Sequence, residues 1–132
     1  MEDIRGLITA FESCTVERGE WGHPEHLIVA YHYAVSNDLD GAYEKMKSGI
    51  FKLLNAFGVD LSKEMPYHET MTVFWMKTIY EYAETHTEIS VRSVNEMITR
   101  FDKHYPGRFY SRELLMSDKA RAEYMEPDIP DR

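Results

Sequence analysis

The sequence predicts an all-α fold: a compact single-domain bundle of four to five main helices, then a short C-terminal helix and an extended tail. Three observations carry that expectation. Apolar residues recur at helical spacing through most of the chain. Glycine, proline and serine punctuation falls between the periodic stretches. No convincing run of alternating apolar and polar residues reads as a strand. The 132 residues suit one domain spanning 1–132. A chain of this size buries roughly two-thirds of its unfolded surface, enough for a core.

The elements follow in order. Ile4, Leu7, Ile8 and Phe11 define a first helix from residue 2 to about 16, broken by Arg18-Gly19-Glu20. Pro24 suits the first turn of a second helix, which runs to about Ser36. That helix is apolar on most sides, through Leu27, Ile28, Val29, Ala30, Tyr31, Ala34 and Val35, so a central position is expected. A third helix starts near Asp40 and carries Tyr43, Met46, Ile50, Leu53, Leu54 and Phe57, with Gly58 where a C-terminal cap belongs. Residues 58–66 read as a loop ending at Pro66. The fourth helix runs from about His68 to His86 with Met71, Trp75, Ile79 and Tyr82 inward. Ser90 caps a fifth, which buries Val91, Val94, Met97, Ile98 and Phe101 and stops before Pro106-Gly107. Ser117 and Asp118 open one short helix through Tyr124, and residues from about 125 to 132 read as an extended tail.

Composition narrows the function classes. A net charge of −8, from 15 basic and 23 acidic residues, disfavours nucleic acid and anionic membrane surfaces as partners. No stretch approaches the ~20 apolar residues a membrane span needs. The start of the chain has no signal-peptide pattern, and the lone Cys14 excludes an internal disulfide. A cytoplasmic protein is expected, with a homodimer as an open option. Cys14 itself reads as a small buried apolar residue.

One feature is chemically loaded: the pair of motifs Trp-Gly-His-Pro-Glu-His at 21–26 and Tyr-His-Glu-Thr at 67–70. On a helical wheel His23, Leu27, Ala30 and Ala34 are spaced four, three, four, and so are His68, Thr72, Trp75 and Ile79. Each helix therefore begins with a histidine at the end of its own core stripe. His26 lies one turn after His23, Glu69 follows His68, and Glu12 flanks the apolar face of the first helix. Imidazoles with carboxylates bind divalent Zn, Fe, Mn or Ni, and bundle cores build such sites from facing helices. The same groups serve metal-free acid–base chemistry. Taken singly, each residue reads as a helix cap or a core side chain. Taken together, they read as a site. His32, His86 and His104 fall outside it.

At these residues the chain resembles a family of small uncharacterised bacterial helical proteins. The shared pattern is Phe11-Glu12, Thr15, then Trp21, His23, His26-Leu27, then Tyr67-His68-Glu69-Thr70 with Thr72, Phe74 and Trp75. It closes with Tyr110-Ser111, Leu115, Ser117 and Ala120-Arg121. The resemblance implies that these positions form a set, and it brings in Ser111 and Arg121. It implies no activity. An arginine at 121 suits a carboxylate or phosphate ligand, or an ion pair holding the C-terminal segment down.

The expectation is thus a polar pocket in which Glu12, His23, His26 and His68 hold a divalent metal. Glu69 and His26 are the catalytic candidates, and Trp21, Tyr67, Trp75, Tyr110 and Arg121 contact a small molecule. Two other readings stand beside it. One is a small-molecule binding module without catalysis, built on the same aromatics. The other is a structural or interaction protein whose histidines are caps and core residues.

Overall fold

The computed structural model describes residues 2–63 and 66–129, and among these it contains seven α-helices and no strand, folded as one compact all-α domain. The helices are α1 (Glu2–Glu12), α2 (His23–Ser36), α3 (Leu39–Ala56), α4 (Glu69–Thr85), α5 (Val91–Arg100), α6 (Arg112–Leu115) and α7 (Asp118–Ala122). Short 3-10 turns occupy Arg18–Glu20 and Tyr105–Arg108. The tip of the expected loop before Pro66 and the last three residues of the expected tail lie outside the described residues.

Helix α2 is central, as its apolar surface requires. Leu27, Val29, Ala30, Tyr31, Tyr33 and Ala34 are all buried, and the helix packs against α1, α3, α4 and α5. Helix α4 lies on α2 and also meets α3 and α7. It buries Thr70, Thr72, Trp75, Met76, Ile79, Tyr82 and Ala83. Two buried tyrosines, Tyr31 on α2 and Tyr82 on α4, bond to backbone carbonyls of other elements. Tyr31 donates to the His86 carbonyl at 2.7 Å, and Tyr82 donates to the Ser93 carbonyl at 2.6 Å. A buried phenol without such an acceptor would lose its hydrogen bond to water with nothing in return.

Local chemistry sets the helix boundaries. Asp38 accepts from the Gly41 amide to start α3, and Ser90 accepts from the Ser93 amide to start α5. Helix α1 ends earlier than the apolar spacing suggests. The Cys14 amide bonds to the Phe11 carbonyl and the Thr15 amide to the Ala10 carbonyl, with Cys14 at φ 58. That is a Schellman closure with a cysteine in the left-handed position. Helix α3 closes in the same way, Gly58 bonding to Asn55 and Val59 to Leu54, but there a glycine takes φ 77. Cys14 is partly buried rather than a core residue, and its position is a backbone requirement.

The C-terminal region differs most from its sequence reading. The expected short helix is present as α7, capped by Ser117 and ending at Ala122, and a further one, α6, capped by Ser111, precedes it. The segment after α7 is extended, as expected, but it is tied down. The Met125 carbonyl accepts from the Tyr110 hydroxyl at 2.8 Å, and the Ile129 amide donates to the Phe109 carbonyl at 2.9 Å. Asp128 accepts from both the amide and the hydroxyl of Ser111, at 2.7 and 2.6 Å.

The close packing of α1 on α3 gives a direct test. A Cβ at Gly49 would lie 2.3 Å from Phe11 Cε2, and Phe11 is 1% exposed. Gly49→Ala is expected to lower unfolding free energy by about 1–3 kcal/mol through overpacking. Gly6→Ala, where a Cβ meets nothing within 4 Å, should be neutral or stabilising. Denaturant titration of the two variants checks both.

Candidate functional site

The two histidines stand at helix starts but not in equivalent positions, His23 as the first residue of α2 and His68 as the N-cap of α4, and they bond to different helix ends. The first nitrogen pair separates them. His23 Nε2 donates to the Phe101 carbonyl at 2.7 Å, and its ring packs on Trp75 at 4.9 Å between centroids. His68 Nε2 donates to the Leu115 carbonyl at 2.7 Å. Phe101 and Leu115 stand at the C-terminal ends of α5 and α6, where carbonyls lack intrahelical partners. Each histidine therefore caps the C-terminal end of another helix.

His68 is occupied on both nitrogens. Its Nδ1 accepts from the Met71 amide at 3.2 Å as the N-cap of α4, which assigns the proton to Nε2. Burial pushes its pKa down, and the nearby Arg121 charge adds to that, against the bond to Leu115. A neutral ring with both nitrogens engaged has no lone pair left for a metal.

The side chains expected to hold a metal do not gather into one group in this structure. Among the described residues, no group of three or more His, Cys, Asp or Glu side chains is placed to hold a metal ion. Glu12 instead accepts from the Tyr33 hydroxyl at 2.9 Å, joining α1 to α2. His26 lies against Trp21, which itself stacks on Phe11 at 5.1 Å. Burial and the neighbouring His23 hold the His26 pKa down at about 4, so its imidazole is neutral and weakly basic at neutral pH. For His23 and His68 the core uses the Nε2 proton for a backbone carbonyl.

The second motif divides its labour. Thr70, fully buried, donates to the Ala120 carbonyl at 2.7 Å, with the Glu123 carbonyl also in reach at 3.0 Å, and accepts from the Met125 amide at 3.1 Å. His68 and Thr70 thus bind the C-terminal segment onto α4. Tyr67 and Glu69 serve a different cluster. Tyr67 donates to Glu69 Oε1 at 2.6 Å, and Tyr43 on α3 donates to Glu69 Oε2. Lys47, one turn along α3, lies 3.3 Å from both the Glu69 carboxylate and the Tyr43 hydroxyl.

Glu69 is an unusual group in this setting. Its side chain is 13% exposed. Burial pushes its pKa up, but donation from Tyr43, Tyr67 and Lys47 outweighs that and holds the carboxyl below the usual glutamate range. Burial first, and then the bond to Glu69, push Tyr43 and Tyr67 up. At neutral pH the cluster is a carboxylate, two neutral phenols and an ammonium. Glu69 is therefore a fixed acceptor rather than a proton donor.

Glu69 and Tyr43 form part of the wall of a groove of about 300 Å³ between α3, α4 and the C-terminal segment. Leu39, Val73 and Met76 supply apolar surface, Tyr124 an aromatic wall, and Asp40 and Lys77 opposite charges. Tyr124 comes from the stretch that Thr70 pins. The expected ligand contacts divide accordingly. Tyr67 supports the groove through Glu69. Trp75 and Tyr110 are 2% and 1% exposed and pack in the interior, and Trp21 packs between Phe11 and His26. Arg121 sits in α7, close enough to His68 to influence its charge. Tyr43, Lys47 and Tyr124 were not singled out in the sequence. The one signal for the first two is their spacing of four on a helix, which places them on one face.

Two outcomes follow. Thr70→Val leaves two carbonyls and an amide short of a partner, and is expected to cost about 2–3 kcal/mol. Amide exchange should accelerate at residues 120–125 more than in α2. For His26, the unfolded ring titrates near 6.5 and the folded ring near 4, so the unfolded state binds more protons between them. Stability is then present above pH 6.5 and falls as pH drops towards 4, by up to about 3 kcal/mol. His26→Phe should remove that part of the slope in denaturant titrations across pH.

No protein-family model, curated protein or solved structure matches the chain, so the groove is interpreted from its own geometry.

Proposed function

We propose that this protein is a small-molecule binding module whose ligand occupies the groove beside Glu69. The observation that supports this most is the Glu69 cluster itself: an ionised, largely buried carboxylate held by two phenols and an ammonium, on the wall of a preformed groove with an apolar floor. Ligand sites combine apolar lining with a few convergent polar groups in this way. A catalytic reading has less support. Glu69 is held in its charged form, and the His26 ring is packed among aromatic side chains, away from the groove-lining set. The His23 and His68 rings act as donors to carbonyls.

A fragment screen by two-dimensional NMR on isotope-labelled protein tests the proposal. Binding fragments should shift the amides of Leu39, Tyr43, Val73 and Tyr124 as a group. Glu69→Gln, which keeps shape but removes the charge that holds Tyr43 and Lys47 in the groove wall, is expected to weaken those hits about tenfold or more. Hits that gather instead around Trp21 and His26, or an absence of hits at the groove, would overturn it.

A further inference from the structure

The chemistry of the groove goes further than its existence. Glu69 already receives three donors, so little of its acceptor capacity is left for a ligand. The charges that remain available are those of Asp40, in the first turn of α3, and Lys77, on α4. Both are exposed, and both line the groove. Among the described residues neither lies within ion-pair distance of an opposite charge, so they do not neutralise each other. The Lys77 ammonium is placed 4.7 Å from the Tyr124 ring centroid, on the wall formed by the C-terminal segment. The same lining carries the apolar side chains of Leu39, Val73 and Met76.

Counting Lys47 and Glu69 as one neutral pair, the groove presents one negative group, one positive group and an apolar floor. A ligand with only one charge would leave the like charge on the wall facing it, and gain from one partner. A molecule with both charges and an apolar body satisfies the whole lining. Taking the groove as the ligand site proposed above, we infer that its ligand is a small zwitterion with an aliphatic side chain, of the class of a free α-amino acid such as leucine. Its ammonium meets Asp40, its carboxylate meets Lys77, and its side chain covers Leu39, Val73 and Met76. The charged contacts fix orientation, and the aliphatic contact supplies the apolar burial.

Leucine can be stripped of either charge. Isopentylamine lacks the carboxylate and isocaproate lacks the ammonium, while both keep an aliphatic tail of the same kind. Isotope-labelled protein is titrated with each of the three and followed by amide shifts at Leu39, Asp40, Val73, Lys77 and Tyr124. L-leucine should shift these signals saturably, and each analogue should bind about tenfold or more weakly. Lys77→Met should reduce the affinity for leucine about tenfold and leave that for isopentylamine unchanged, and Asp40→Asn should do the converse with isocaproate. Both changes are at exposed positions, and a circular dichroism melt confirms that the fold is kept. Isopentylamine or isocaproate binding as tightly as leucine would overturn the inference in favour of a singly charged ligand. No saturable shift with any of the three at millimolar concentration would also overturn it. The fragment screen then separates the two levels: groove hits from other chemistry leave the binding module standing, and none at all removes both.

Discussion

Helices end inside this protein, and their last carbonyls must find donors there. An α-helix leaves its final four carbonyls without intrahelical partners, and a buried one left unpaired costs about 1–3 kcal/mol. The chain meets that requirement with side chains from other helices. His23 reaches the end of α5, His68 the end of α6, Tyr31 the end of α4 and Thr70 the end of α7. Among the described residues no buried side-chain nitrogen or oxygen lacks a partner. The packing of α2 and α4 at the centre supplies the apolar stability, while these bonds decide where the shorter elements rest.

The dependence is greatest at the C-terminus. Helices α6 and α7 have four and five residues, far below the length at which a helix persists in water. Their caps, Ser111 and Ser117, satisfy the amide ends, and the Ser117 hydroxyl also donates to the Leu114 carbonyl of α6 at 2.7 Å. The Leu115 and Ala120 carbonyls are held by α4, through His68 and Thr70. Tyr124 follows directly after this anchored stretch, so the same bonds that close the fold also raise one wall of the groove.

Backbone geometry at His68 allows one short motif to face two ways. His68 is extended, with φ −134 and ψ 107, so Tyr67 and the residue after the cap can meet on one side while the imidazole turns to the other. Tyr67 and Glu69 then join Tyr43 and Lys47 of α3, and His68 and Thr70 join the C-terminal segment. A charge as well enclosed as Glu69 is costly to desolvate, and its three donors offset that cost only when α3 and α4 are in register. The cluster therefore ties the position of the groove to the packing of those helices.

Much of this was legible in the sequence. Apolar periodicity marked the five main helices and the central place of α2, because burial of an apolar stripe is a local, repeating requirement. Serine and glycine signals marked the caps at Ser90, Ser117 and Gly58, and the wheel drew attention to His23 and His68, which stand at the starts of α2 and α4. The early end of α1 was missed because a cysteine, not a glycine, takes the left-handed position. What the sequence could not decide was which acceptors those two imidazoles would meet. Metal ligand and carbonyl cap need the same nitrogen at the same helical position, and the choice rests on which helix end arrives opposite. Phe101 and Leu115 lie far along the chain from the histidines they face, as Tyr43 and Lys47 do from Glu69. Residue types and spacing determined that polar groups would enter the core at these points. Only the tertiary packing decided that histidines would close helices and that the carboxylate would face the groove, because hydrogen bonds between distant segments depend on positions that no local pattern encodes.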